Sequence, residues 1–475
     1  EMNKTTIAVL ATFAATLYGE TLEEKVNRLE KELNTVKAQQ LETTAAATFS
    51  ETKAFKDKLN WTPELRVRTD SFRYKNKEIS GYTSTSAAQY ERESGYSKNF
   101  NPATNVRLRL NMDYAATDET KFVGRMSVNR NTQTSERICT LHAAKGYASS
   151  TTTVFEIDKA YVDTTFNKKG DIPITLTFGI LPTSGGSSTN LAENKPRQSM
   201  FPSLMFDMNS YGIIGTIDLD KYVTDGAIRG VFAKAYTQNK DSFYYQCNRA
   251  IVKNGDIAGL FYEQTLPYLG DNTFMIGVNR LGHIRATPFI GSAAMLDSDT
   301  PADLGSILNY GANLELRDIG SSQLTGFFGV AASQTNPSGN SADYMSTATI
   351  GGTLLGVRGL DYAFGEMYRK SGWATHIGGL YNFSDFKTKI GLEYNHGSKY
   401  WYSGTQGAED PFNKLAVRGN AYEAYVIYNI NKNIFLKAGY LRMVEQYTGS
   451  GWHFGTAYEK DAITDNAYIL LNAAF

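Results

Sequence analysis

The sequence predicts an all-β chain: a transmembrane antiparallel β-barrel of about 16 strands, preceded by a short N-terminal coiled-coil helix. Three observations predict it. The final segment alternates Ala467, Ile469, Leu471, Ala473 and Phe475 against a mixed face and ends on an aromatic residue. That is how a strand with one lipid-facing side reads. The connections between strand-like segments alternate long and short, the asymmetry of outer-membrane barrels with tight turns at one rim and long loops at the other. The composition agrees: 42 Gly, 30 Tyr and 25 Phe against 11 Pro, 4 Trp and 2 Cys in 475 residues, as suits aromatic girdles and curved strands.

At the N-terminus, Lys4 precedes an apolar run from Ile7 to Leu17 and the small residues Ala14, Ala15 and Gly19. This reads as a secretory signal over residues 1–19. No later stretch approaches the roughly 20 apolar residues of a spanning helix. Residues 20–60 form a periplasmic coiled coil and connector. Leu22, Val26, Leu29, Leu33 and Val36 repeat at spacings of four and three between Glu and Lys residues, the seam of a coiled coil. A helix this short is marginal alone, so it calls for partner helices held close by something larger, or for packing on its own domain.

Residues 61–475 form the barrel. Strand-like segments fall near 62–74, 104–116, 120–130, 154–166, 172–181, 210–219, 226–237, 255–264, 272–281, 304–317, 321–334, 372–384, 386–398, 419–430, 433–447 and 466–475. Short turns such as Thr117-Asp118-Glu119-Thr120, Asn167-Lys168-Lys169-Gly170 and Asn431-Lys432-Asn433 alternate with long polar connections. An additional hairpin at Ile284 to Met295 or Thr353 to Phe364 would raise the count to 18.

Side chains alternate along a strand. In Leu65-Arg66-Val67-Arg68 and Val106-Arg107-Leu108-Arg109-Leu110 the apolar residues share one face and the arginines the other. Arginine facing hydrocarbon costs about 2–4 kcal/mol near the midplane. Arg66, Arg68, Arg107 and Arg109 are therefore expected to line the lumen, joined by Arg125. The alternative is that they serve as structural salt bridges to Asp70 and Asp113. The third long connection, Pro182 to Ser210, contains Met200-Phe201-Pro202-Ser203-Leu204-Met205-Phe206, too apolar to stand in water. It is expected to fold inward and present Glu193 and Asp207 to the arginines, or else to form a subunit contact.

Catalytic and metal chemistry has little support. His142, His283, His376, His396 and His453 are scattered without an HExxH pair, and neither a G-x-S-x-G elbow nor a phosphate loop is present. Cofactors are expected to be none. Glu409 and Asp410 would suit Ca²⁺ but match no calcium motif. Cys139 and Cys247 fall in expected outer loops, where a disulfide and two separate thiols both remain open. With 48 basic and 48 acidic residues the chain is neutral, which gives no hint of nucleic-acid binding.

The segments Lys53 to Asn60, Glu64-Leu65-Arg66-Val67-Arg68, Asn105-Val106-Arg107-Leu108-Arg109-Leu110-Asn111-Met112, Ile172 to Gly179 and Asp207 to Ile214 resemble a family of epsilonproteobacterial outer-membrane barrels without an assigned function. The chain is more distantly similar to the major outer-membrane porins of those bacteria, and the resemblance loosens from Asp241 onward. It implies an outer-membrane location and a barrel fold, and says little about a solute. The expected role is a non-enzymatic, porin-like channel for passive diffusion of small hydrophilic solutes and ions, working as a homotrimer among outer-membrane lipid and lipopolysaccharide. The alternative is a structural or adhesive surface barrel plugged by its own loops.

Overall fold

The computed structural model describes residues 23, 25–37, 39–40, 58–76, 96–99, 102–131, 153–208, 210–235, 251–253, 255–267, 269–270, 272–283, 285–287, 302–303, 305–338, 344–350, 353–359, 368–405, 410–447, 457 and 459–475. The chain divides into two compact units, Glu1–Asn60 and Trp61–Phe475. In the first, residues 25–37 are helical and leave Val26, Leu29, Leu33 and Val36 exposed along one stripe. Leu22 and residues 1–19, expected to be a secretory signal, lie outside the described residues, as do Cys139 and Cys247.

The second unit is a closed antiparallel barrel of 16 wall strands. The first eight are β1 Leu59–Asn76, β2 Ala103–Ala115, β3 Thr120–Asn131, β4 Thr153–Phe166, β5 Ile174–Leu181, β6 Ser210–Asp218, β7 Ala227–Ala235 and β8 Asp256–Gln264. The second eight are β9 Asn272–Gly282, β10 Gly305–Leu316, β11 Leu324–Pro337, β12 Ser371–Phe383, β13 Thr388–Gly397, β14 Gly419–Asn429, β15 Ile434–Tyr447 and β16 Glu459–Ala474. Closure comes from β1 pairing with β16 in unbroken register from Glu64↔Ala474 to Asn76↔Ala462. The Phe475 amide adds a bond to the Pro63 carbonyl. A four-residue strand, Tyr96–Asn99, pairs antiparallel with the outer end of β1.

The count is 16 because neither candidate extra hairpin joins the wall. Thr353–Gly359 pairs with Tyr344–Ile350 as a separate ribbon, and Arg285–Thr287 joins Ile251–Lys253 and Ala302–Asp303 in a small sheet. The last strand begins seven residues before its expected start at Asn466. The outer end of β1 needs a partner for its backbone groups, and Ala462 to Asp465 supply it.

The turns at the terminal rim are short for local reasons. The Asn431 side chain accepts the Asn433 and Ile434 amides at 2.8 and 2.9 Å, an Asx turn. Asn167, Asp318 and Lys387 take left-handed φ of 54°, 47° and 52° in other tight turns.

Alternation sorts the wall. Leu65, Leu108, Phe178, Phe232, Leu392 and Ile469 are exposed on the outside, while their neighbours Arg66, Arg107, Thr177, Val231, Glu393 and Leu470 are buried inside. Four cross-strand pairs place an inward aromatic ring over a glycine: Phe261↔Gly277, Phe327↔Gly378, Tyr425↔Gly391 and Tyr468↔Gly439. A Cβ at Gly391 would meet the Tyr425 ring at 2.2 Å, so glycine is what lets the ring lie flat against the wall. Part of the chain's glycine and aromatic content is explained by this motif.

Candidate functional site

The wall from β1 to β4 carries the basic ladder. Arg66, Arg68, Arg107, Arg109 and Arg125 all project inward and are buried. Their partners come chiefly from the same wall. Arg68 forks onto Asp70, with Nε and Nη2 each 2.9 Å from a carboxylate oxygen, and its guanidinium stacks 4.3 Å over the Tyr468 ring. Arg107 donates to Glu64 at 2.8 Å. Arg125 grips Asp158 through Nε and Nη2 at 2.6 and 2.8 Å, and Arg109 reaches the same carboxylate at 3.5 Å. Asp113, one of the two acids considered from the sequence, pairs with Lys121 instead.

Asp158 reaches the ladder because of a bulge. The β3–β4 register shifts between Arg125 and Met126, leaving Asp158 as the extra residue opposite them. Two consecutive side chains, Asp158 and Lys159, are thereby buried where strict alternation would send one outward. Re-aiming a side chain is a common use of a bulge.

The third outer loop, described over residues 182–208, crosses the lumen. Its apolar residues Phe201, Leu204, Met205, Phe206 and Met208 are buried against Ile257, Phe261, Ile307 and Ala331 of the facing wall. Phe201 packs its ring 4.6 Å from Phe261 and 5.4 Å from Phe206. The loop's polar groups tie it elsewhere around the barrel. Lys195 donates to Glu64 at 2.7 Å and Gln198 accepts from Arg125 at 3.0 Å. Ser187 bonds Glu315 at 2.9 Å, Lys389 donates to Asn194 at 2.7 Å, and Lys437 donates to the Ala192 carbonyl at 2.8 Å.

A second inward element gave no signal in the sequence reading. The seventh outer loop, residues 398–418, buries Trp401, Tyr402, Leu415 and Val417 almost completely. Its Asp207 contact ties it to the third loop: the Asp207 amide donates to the Gly404 carbonyl at 3.2 Å. Its Lys414 ammonium lies between Glu393 and Glu423 of β13 and β14 and bonds both. Burial opposes that charge, but the two glutamates outweigh it and hold the Lys414 ammonium well above the usual lysine range. His376 Nε2 and the Tyr425 hydroxyl complete the surroundings of Glu393 at 3.1 and 3.0 Å.

Both loops and the wall border a cavity of about 70 Å³, enough for a few waters. Arg66 and Arg68 line it from β1, Lys437 from β15, Glu193 and Asp207 from the third loop, and Asp410 from the seventh. The two loop acids named from the sequence thus share this cavity with Arg66 and Arg68. Toward Arg107 and Arg125 the third loop contributes a cation, Lys195, bonded to Glu64, and an amide, Gln198. The Asp207 carboxylate also accepts the Gly185 amide at 3.1 Å, bracing its own loop.

The family described as "Protein of unknown function (DUF3373)" matches residues 96–473. The chain belongs to that family. No curated protein matches it in sequence. Among solved structures it is similar to OmpT, an outer membrane protein of Vibrio cholerae folded in vitro, at 12% identity and TM-score 0.41 over 88% of this chain and 97% of that one. It is also similar to OmpF of Salmonella typhi in complex with daunomycin, at 11% identity and TM-score 0.45 over 88% and 97%. For this family member the wall itself fixes the setting: a closed barrel with no free strand edge, apolar outside and charged inside, is an outer-membrane β-barrel. No described helix is long and apolar enough to cross a membrane.

Proposed function

We propose that the barrel is a porin-like channel through which small hydrophilic solutes and ions diffuse passively, narrowed where the third loop faces Arg66 and Arg68. The reading is of a channel and not an enzyme. One observation carries it: charges of both signs converge from wall and loops on one cavity of about 70 Å³. A barrel with a purely structural role gains nothing from this, since replacing buried ion pairs by packed apolar residues is often neutral or stabilising. The second reading, a loop-plugged structural or adhesive barrel, is favoured by the number of strands to which the third loop is bonded.

Planar bilayers separate the two. The wild type is expected to conduct, and Arg66→Gln with Arg68→Gln to move the reversal potential toward cation preference. The shift should grow as salt falls, because screening extends over about 3 Å at 1 M but about 10 Å at 0.1 M. A wild type that never conducts supports the plugged barrel. An unaltered reversal potential removes these arginines from the path.

We also propose a homotrimer in which three periplasmic helices meet through Val26, Leu29, Leu33 and Val36. Their exposure as an apolar stripe in the single chain supports it. Leu29→Asp with Leu33→Asp is expected to convert the trimer band on blue-native gels to monomer. A monomeric wild type would end the idea.

A further inference from the structure

We propose that the outer surface of the barrel binds the phosphate of an outer-leaflet lipid at Arg73 and Arg442, on either side of the closing seam. On β16 and β15 the outward residues run apolar from the terminal rim, through Leu471, Ile469 and Ala467 and through Leu436, Ala438 and Tyr440, while β1 passes from Leu65 and Val67 to the neutral polar Thr69 and Ser71. All three strands then turn charged at one register row, Arg73↔Asp465↔Arg442. The inward neighbours Phe72, Tyr74, Thr464, Asn466, Leu441 and Met443 are all buried, so the direction of the charged side chains is set by alternation.

The height of the row fits a headgroup. From Ala474 to Asp465 a strand rising about 3.4 Å per residue at a tilt near 45° climbs ~22 Å, close to the apolar band of about 25 Å. The row therefore stands where hydrocarbon gives way to headgroups, and the medium on this face is the leaflet itself. That position selects a lipid phosphate over a soluble anion.

Within that row the charge is unbalanced. Two guanidiniums flank one carboxylate. Arg442 Nε is only loosely paired with Asp465, at 3.7 Å, and that carboxylate already accepts the Tyr440 hydroxyl at 2.6 Å. Arg73 Nε donates to Ser97 Oγ at 3.1 Å. Lys75 follows one outward step above Arg73, and Asp461 and Glu459 lie further out on β16. Arginines two strands apart stand about 10 Å apart at the backbone, within reach of one phosphate through their long side chains. Arginine forks suit phosphate because they offer paired donors in a plane.

The test is independent of whether the barrel conducts. Native mass spectrometry of the full protein in detergent would compare bisphosphorylated lipid A with the same lipid after phosphatase treatment. The wild type is expected to favour the phosphorylated form by about tenfold or more, the scale of losing one charge-assisted contact. Arg73→Gln with Arg442→Gln should abolish that preference while heat-modifiable gel migration is kept, and Lys121→Gln at the opposite rim should not. Asp465→Asn should strengthen retention by removing the competing carboxylate, which keeps the idea testable if the double variant fails to fold. Equal retention of both lipids by the wild type, an unchanged preference in the double variant, no gain with Asp465→Asn, or displacement by millimolar inorganic phosphate would each overturn it.

Discussion

Lys414→Met is expected to release the seventh outer loop from the inner wall. In the wild type one ammonium serves both Glu393 and Glu423. Removing it leaves Glu393 without its ammonium and Glu423 with only the looser Lys437 contact at 3.8 Å, and breaking a buried ion pair from one side costs about 3–5 kcal/mol. The loop can escape that cost by leaving the lumen, because much of its remaining hold is packing and neutral hydrogen bonds such as Asn395 to the Lys414 carbonyl at 2.9 Å. Hydrogen exchange should then accelerate across residues 398–418 while the amides of β13 and β14 stay protected. In bilayers, mean conductance should rise. Adding Glu423→Gln should recover part of the protection by removing one of the two stranded charges. Unchanged exchange in the seventh loop would show that packing alone holds it.

Phe201→Ala is expected to loosen the third loop at its anchor. The ring is fully buried between Phe206 and Phe261, and deleting a packed aromatic costs about 3–5 kcal/mol. Protection of amides in residues 182–208 should fall by that amount in exchange experiments, with the wall unaffected. Phe201→Leu should cost less because more of the volume is kept. A loss below about 1 kcal/mol, the level of a conservative apolar swap, would mean that the polar ties to the wall hold the loop unaided.

The wall was legible in the sequence because two of its rules are local. Side-chain alternation fixed which face of Leu65-Arg66-Val67-Arg68 turns inward, and turn chemistry at residues such as Asn167 and Asn431 marked the short rim. The third loop was legible for the same reason, since Phe201 to Phe206 is too apolar for water. The partners were not. Arg107 meets Glu64 across 43 residues, and Lys414 meets Glu423 only because β14 starts where its loop ends. Asp158 was hidden by the bulge, which breaks the alternation that made the other wall residues readable. The charged row on the outer surface follows only from the β1–β16 register, which joins segments at opposite ends of the chain.

That register also has a kinetic side. Hairpin neighbours such as β14 and β15 can zip locally, but β1 must wait for β16, nearly the whole chain length later. Such a pairing carries the largest entropic toll of any in the barrel and should form last. Until it does, β1 and β16 are open edges, with unpaired amides and carbonyls able to template onto other chains. A chain interrupted before Glu459 would keep that exposed state, so the sixteenth strand acts as the final clasp that turns an adhesive sheet into a self-contained cylinder.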